Sequence, residues 1–296
     1  MLKIPARFLL AAAGVLALVS TASAQFDFRS SQQQRSAEQL TGVQVVTDAT
    51  HPVMPGETVH LAVVFTIEAP WHLYWKNPGE GAMPPRVTVT APDGFTVGET
   101  RWPRPKVLPS TMGDMYCYEG EFALFIPVTA PQSLADGQAR FAIEANWAVC
   151  DEEMCLFGSA KRDIELPTTS STVRTLDARP VHPLIGRHRP RLARLEGDAG
   201  ADAVDAAAAE LRGDTLHLTV PAHGFDQAAF MPLQSPGVTY GEARISRAGE
   251  TVQVEIDLQV EPNNFLNGPP NVGGLVALGT KGDDPSYEFS LPLASE

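Results

Sequence analysis

The chain has 296 residues, 44% of them hydrophobic and 19% charged, with a formal net charge of -13. That length admits two domains, and the acidic balance argues against a surface built for phosphate backbones or anionic lipid headgroups. The 25 Pro and 24 Gly predict many turns between short strands, and so an all-β chain.

The first residues, MLKIPARFLLAAAGVLALVSTASAQ, carry Lys3 and Arg7, an apolar run from Phe8 to Val19, and the small-x-small pattern Ala22-Ser23-Ala24. This order predicts a secretory signal peptide over 1–24, cleaved after Ala24, because the apolar run falls short of the about 20 residues that span a bilayer. Export implies an oxidising compartment in which disulfides persist. Residues 25–42 are polar and aperiodic and predict a disordered lead-in, with order beginning at Val43.

From Val43 onward, VQVVTD, TVHLAVVFTIE, WHLYWKNP, RVTVTAP, EFALFIPVTA and RFAIEANWAV recur as short β-branched or aromatic runs between Pro-Gly, Asn-Pro-Gly and Asp-Gly signals. This rhythm predicts a β-sandwich over 43–167. Residues 168–201 are rich in Thr, Ser, Pro and Arg and read as a linker or irregular crossing. Residues 202–296 predict a second, smaller β-rich domain with a short helix at about 202–211, in ADAVDAAAAELRG, stopped by Gly213. In ETVQVEIDLQV the residues Val252, Val254, Ile256, Leu258 and Val260 share one face.

NWAVCDEEMCLFG, residues 146–158, places Cys150 and Cys155 on two predicted strands joined by the loop Asp151, Glu152, Glu153 and Met154. Directly opposed strand residues lie within disulfide reach, so the bond can form without large backbone movement. The pair reads either as a staple or as a thiol–disulfide exchanger. Closing so short a loop stabilises by only about 2 kcal/mol, a modest reason to place a staple there. The acidic loop disfavours a nearby thiolate, so reactivity would have to come from access and from the partner. Which cysteine attacks is left open. Cys117, in MGDMYCYEGEF, is the unpaired thiol; strand alternation puts it on the side of Glu119 and Glu121, opposite Tyr116, Tyr118 and Phe122, and so predicts partial exposure. It reads as a small free thiol or as a third redox participant.

The series Trp71-x-x-x-Trp75, Asn77-Pro78-Gly79, Trp102-Pro103-x-Pro105, YCYEGEFALFIPV and NWAVCDEEMC, in that order over roughly 43–167, resembles the N-terminal periplasmic domain of the thiol:disulfide interchange protein DsbD, including relatives implicated in copper tolerance. The resemblance implies an immunoglobulin-like β-sandwich in the periplasm, without a cofactor, acting as a component of a protein-disulfide reductase. It implies that Cys150 and Cys155 are the redox-active pair, which takes electrons from a membrane or thioredoxin-like donor and passes them to oxidised periplasmic proteins, in settings such as cytochrome c biogenesis or copper tolerance. It also implies a covering loop with an aromatic tip; the matching stretch is LPSTMGDMYCY, with Met115 or Tyr116 as the tip. Two departures stand out. The gap between the cysteines is shorter than in the best-known members, and the family's membrane module and thioredoxin-like domain are not in this sequence, so the electrons would come from a separate protein.

Two other classes compete with exchange. A copper(I) carrier would use the soft ligands Met112, Met115, Cys117, Met154 and the Cys150–Cys155 pair. A non-catalytic interaction module would keep the disulfide only as a brace. Trp71, Trp75, Trp102 and Trp147 read as core residues and Asn77-Pro78-Gly79 as a turn. The seven histidines show no paired metal-ligand spacing and no serine sits in a nucleophile elbow, which argues against zinc and serine hydrolases.

Overall fold

The computed structural model describes residues 35–111, 113–173, 179–195, 207–265 and 269–293. The expected signal peptide lies outside the described residues. Order begins ahead of Val43: a short helix α1 (Ala37–Leu40) buries Ala37 and Leu40, and the Ser36 amide donates to Gln39 Oε1 at its start.

Ten strands follow: β1 (Thr41–Thr47), β2 (Thr58–Ile67), β3 (Leu73–Gly79), β4 (Arg86–Thr90), β5 (Thr96–Val97), β6 (Lys106–Ser110), β7 (Gly113–Tyr118), β8 (Glu121–Thr129), β9 (Gly137–Cys150) and β10 (Cys155–Thr168). They form a four-stranded sheet in the order β1-β2-β8-β5, a three-stranded sheet β10-β9-β4, and a small sheet β3-β7-β6. Side chains alternate across a strand, so Val63 and Phe65 of β2, Phe122 and Leu124 of β8, and Phe141, Ile143 and Trp147 of β9 all reach one core. Phe65 and Phe122 stack at 5.1 Å between centroids, and each fully buried aromatic of this kind stabilises by roughly 1.5–3 kcal/mol. Trp75 and Trp147 are buried in that core, with Trp71 and Trp102 half-buried against it.

The expected linker has structure of its own. Helix α2 (Pro183–His188) seats Ile185 among Val46, Val64 and Phe125 on the outer face of the first sheet. Arg187 and His188 meet the Glu121 carboxylate there.

Eight strands make up the second region: β11 (Ala208–Arg212), β12 (Thr215–Pro221), β13 (Ala228–Pro232), β14 (Val238–Tyr240), β15 (Arg244–Ala248), β16 (Thr251–Val260), β17 (Asn271–Leu278) and β18 (Ser286–Pro292). The predicted face of β16 is confirmed, with Val252, Val254, Ile256 and Leu258 buried. The helix expected at about 202–211 is corrected over its described part: Ala208–Arg212 is a strand, paired with β12 from Ala208↔Thr219 to Arg212↔Thr215. Gly213, at φ 60°, makes the tight hairpin turn rather than stopping a helix. Ladder pairing to a neighbouring strand here outweighs the helix propensity of alanine.

This second region packs directly on the sandwich. Met231, Leu275 and Ala277 join the first core, Asn77 Nδ2 donates to the Pro232 carbonyl at 2.7 Å, and the Arg104 guanidinium donates to the carbonyls of Leu278 and Gly279. Lys76 forms an ion pair with Glu288 across the same boundary. Among the described residues no helix is long and apolar enough to cross a membrane.

Candidate functional site

The site grows out of a change in the burial of β9. Along most of that strand only one face is buried: Ala139, Phe141, Ile143, Ala145 and Trp147 point inward while their neighbours are exposed. At Ala148 and Cys150 the opposite face becomes buried as well. The small sheet accounts for this, because His72, just ahead of β3, bridges to Cys150 and lays Tyr74 and Cys117 beside Ala148.

Cys150 is therefore flanked on both edges. The His72 amide donates to the Cys150 carbonyl at 2.9 Å, and the Cys150 amide to the His72 carbonyl at 3.0 Å. With its backbone groups turned toward His72, Cys150 faces Cys155 as the close, non-hydrogen-bonded type of antiparallel pair. The Cα atoms of the two cysteines are 4.1 Å apart and their sulfurs are bonded, a bond that the hairpin spacing allows. Asp151 Oδ1 shapes the connecting loop by accepting from the amides of Glu153 and Met154 at 2.9 and 2.8 Å, and those hydrogen bonds hold its carboxyl below the usual aspartate range.

Access to the two cysteines is unequal. Cys150 is 1% exposed, whereas Cys155 is solvent-exposed at the start of β10. Beside Cys155 stand two exposed apolar side chains, Met154 at 43% and Phe157 at 72%. On the buried side, His72 Nε2 and the Tyr74 hydroxyl lie 3.0 Å apart. Gly81 crosses close over the Tyr74 ring, where an added Cβ would come within 2.2 Å of it. Burial lowers the pKa of His72, against the opposing pull of the Glu119 and Asp151 carboxylates. Burial likewise raises that of the Tyr74 hydroxyl.

The other sequence-predicted residues divide. Cys117 is fully buried rather than partly exposed, because its face of β7 packs with Tyr74, Ala148 and Cys150. Burial first, and then Glu119, push its thiol up to about 11. Met115 is half-buried against the group formed by Tyr74, Cys117, Ala148 and Cys150. Tyr116 points to the other face of β7, edge-on to Trp75 at 6.0 Å, inside the main core. Of the two tip candidates only Met115 thus borders the group around Cys150. Met112 lies outside the described residues. Among the described residues no group of three or more His, Cys, Asp or Glu side chains is placed to hold a metal ion. Sequence reasoning missed His72 and Tyr74; the signal was their i, i+2 spacing, which sets them opposite the core-facing Leu73 and Trp75.

These features define a β-sandwich that presents a hairpin disulfide with one buried and one accessible cysteine. Residues 41–167 match the family model described as thiol:disulfide interchange protein DsbD, N-terminal. The N-terminal periplasmic domain of ScsB from Proteus mirabilis is a solved structure of similar fold, with a TM-score of 0.50 at 15% identity, covering 85% of this chain and 93% of its own. That coverage reaches well beyond residues 41–167, so the second β-region has a counterpart in the likeness. The DsbD N-terminal domain of Neisseria meningitidis, in its reduced form, matches at 12% identity over 47% of this chain and 93% of its own, with a TM-score of 0.30. No curated protein sequence matches the chain.

Proposed function

We propose that the chain is a periplasmic thiol–disulfide exchange module that receives electrons from a separate thioredoxin-like or membrane donor and passes them to oxidised envelope proteins through Cys150 and Cys155. The observation that carries this reading is the unequal exposure of the pair. A donor's thiolate approaches from solvent and attacks the Cys155 sulfur. A new bond forms between the donor and Cys155, the Cys150–Cys155 bond breaks, and the electron pair leaves on Cys150. A second donor thiol then releases the donor as a disulfide and leaves the pair reduced. Transfer to an oxidised protein runs the same chemistry in reverse: Cys155 attacks, and Cys150 resolves the mixed disulfide. The exposed Met154 and Phe157 give a partner an apolar surface beside the reacting sulfur.

Trapping tests the assignment. Cys150→Ser, which lacks the resolving sulfur, should hold a stable mixed disulfide through Cys155 with a thioredoxin-like protein. Cys155→Ser should hold none under native conditions. Equal trapping by both variants, or by neither, contradicts it.

A further inference from the structure

Cys150 has a sulfur partner on one edge and an imidazole on the other. The register pairs Cys155 with Cys150, and the bridge pairs Cys150 with His72, so the three residues form one row across the sheet with side chains on the same face. In a directly opposed pair the Cβ atoms lie about 4.5–5.5 Å apart, which brings an imidazole to a neighbouring thiol. His72 is only 5% exposed, and its ring is steadied by the Tyr74 hydroxyl and by edge-on packing at 5.1 Å between centroids.

Resting on the exchange reading above, we infer that His72 is the proton acceptor for the Cys150 thiol in the step that resolves the mixed disulfide. With an oxidised partner joined to Cys155, the Cys150 S–H proton passes to a free nitrogen of His72, and the Cys150 thiolate attacks the Cys155 sulfur. The Cys150–Cys155 bond forms and the Cys155–partner bond breaks. The electron pair leaves on the partner's sulfur, which takes a proton from water, and His72 returns its own proton to solvent. No further oxidant or reductant is needed, because the partner is reduced by the two electrons that the dithiol loses.

The surroundings suit this role. The acidic loop withholds any stabilisation of a thiolate, so the buried Cys150 needs a base at hand. The groups that face His72 are Cys150 from β9, Asp151 from the loop, Tyr74 from β3, Cys117 from β7, and Glu119 just beyond β7, whose carboxylate is itself paired with Lys106 of β6 at 2.6 Å. Burial keeps the imidazole neutral near pH 7, the form able to accept a proton, while the two carboxylates favour the cation it becomes. Cys117, held up to about 11, stays a thiol and does not compete.

The test uses the full chain, reduced, with dithiobis(nitrobenzoate) as the probe disulfide. Attack by Cys155 releases a first coloured thiolate, and resolution by Cys150 releases the second, so stopped-flow absorbance separates the two steps. His72→Gln should leave the first phase unchanged and slow the second by about a hundred-fold at pH 7, with the deficit shrinking as pH rises and hydroxide replaces the imidazole as base. Tyr74→Phe, which keeps the imidazole, should move the second phase far less. A second phase unchanged in rate and pH profile overturns the inference. Absence of the first phase in the native reduced protein sinks the exchange reading itself. Should His72→Gln fail to fold, the wild-type protein decides the matter by NMR. The His72 ring nitrogens of the reduced form should shift together with Cys150 Cβ as pH rises, and a His72 blind to Cys150 ionisation overturns the inference equally.

Discussion

Replacing both hairpin cysteines by alanine should cost about 2 kcal/mol and leave a cooperative fold. Cys150 and Cys155 are five positions apart, so their bond closes a loop of about six residues, and the chain-entropy relation gives about 2 kcal/mol for it at 25 °C. The hairpin does not depend on that contribution: β9 and β10 are each 14 residues long and paired throughout, with Phe141, Ile143 and Trp147 anchored in the core. Linkage turns the same quantity into redox terms. A bond that stabilises the native state by about 2 kcal/mol is only about 45 mV harder to reduce there than in the unfolded chain, so the fold leaves the disulfide reducible. Urea unfolding followed by tryptophan fluorescence, with Trp75 and Trp147 as buried reporters, should show a cooperative transition for the double variant that lies about 2 kcal/mol below the oxidised protein. Loss of the transition, or a cost above about 5 kcal/mol, would refute the reasoning and mark the bond as a staple.

Cys117, buried and with its thiol raised to about 11, should escape iodoacetamide at pH 8 in the native reduced protein while Cys155 is alkylated first; mass spectrometry showing early modification of Cys117 contradicts its placement. Phe157→Ser should change stability by less than about 0.5 kcal/mol, since the side chain is 72% exposed, yet slow exchange with a thioredoxin-like protein and leave reduction by dithiothreitol unaltered. Arg104→Ala should cost about 2–3 kcal/mol in urea unfolding, because it strips charge-assisted donors from the carbonyls of Leu278 and Gly279. Burial lowers the pKa values of His72 and His188, in each case outweighing nearby carboxylates. The unfolded chain then binds the extra protons first, so stability is complete above about pH 6.5 and is lost as pH falls toward the lowered folded-state values; His188→Gln should flatten that slope between about pH 7 and 5.

The long strands and the cysteine hairpin were legible because both follow from period-2 alternation around a four-residue loop, a rule that holds wherever one face of a strand is buried. The same rule failed at Cys117, where Ala148 and Cys150 of β9 cover one face of β7 while Tyr116 and Tyr118 on the other enter the main core. It also hid His72. A residue read as part of an aromatic run acquires its place beside Cys150 from a bridge between segments 78 positions apart, which no local pattern records. The alanine-rich stretch before Gly213 misled for the opposite reason: local propensity pointed to helix, and the neighbour that makes Ala208–Arg212 a strand lies across a hairpin turn. The difference in exposure between Cys150 and Cys155 was likewise absent from the sequence, since it arises where the small sheet closes over one end of β9 and stops short of β10.

The reduction potential of the Cys150–Cys155 pair bears most directly on whether this bond is opened and closed as part of the protein's work. Equilibration of the native protein in dithiothreitol redox buffers, with alkylated thiols counted by mass spectrometry, gives the value. A midpoint in the thioredoxin range, about -270 mV or higher, is the result the account predicts, and one well below about -300 mV, the range of bonds that serve only as braces, would contradict it.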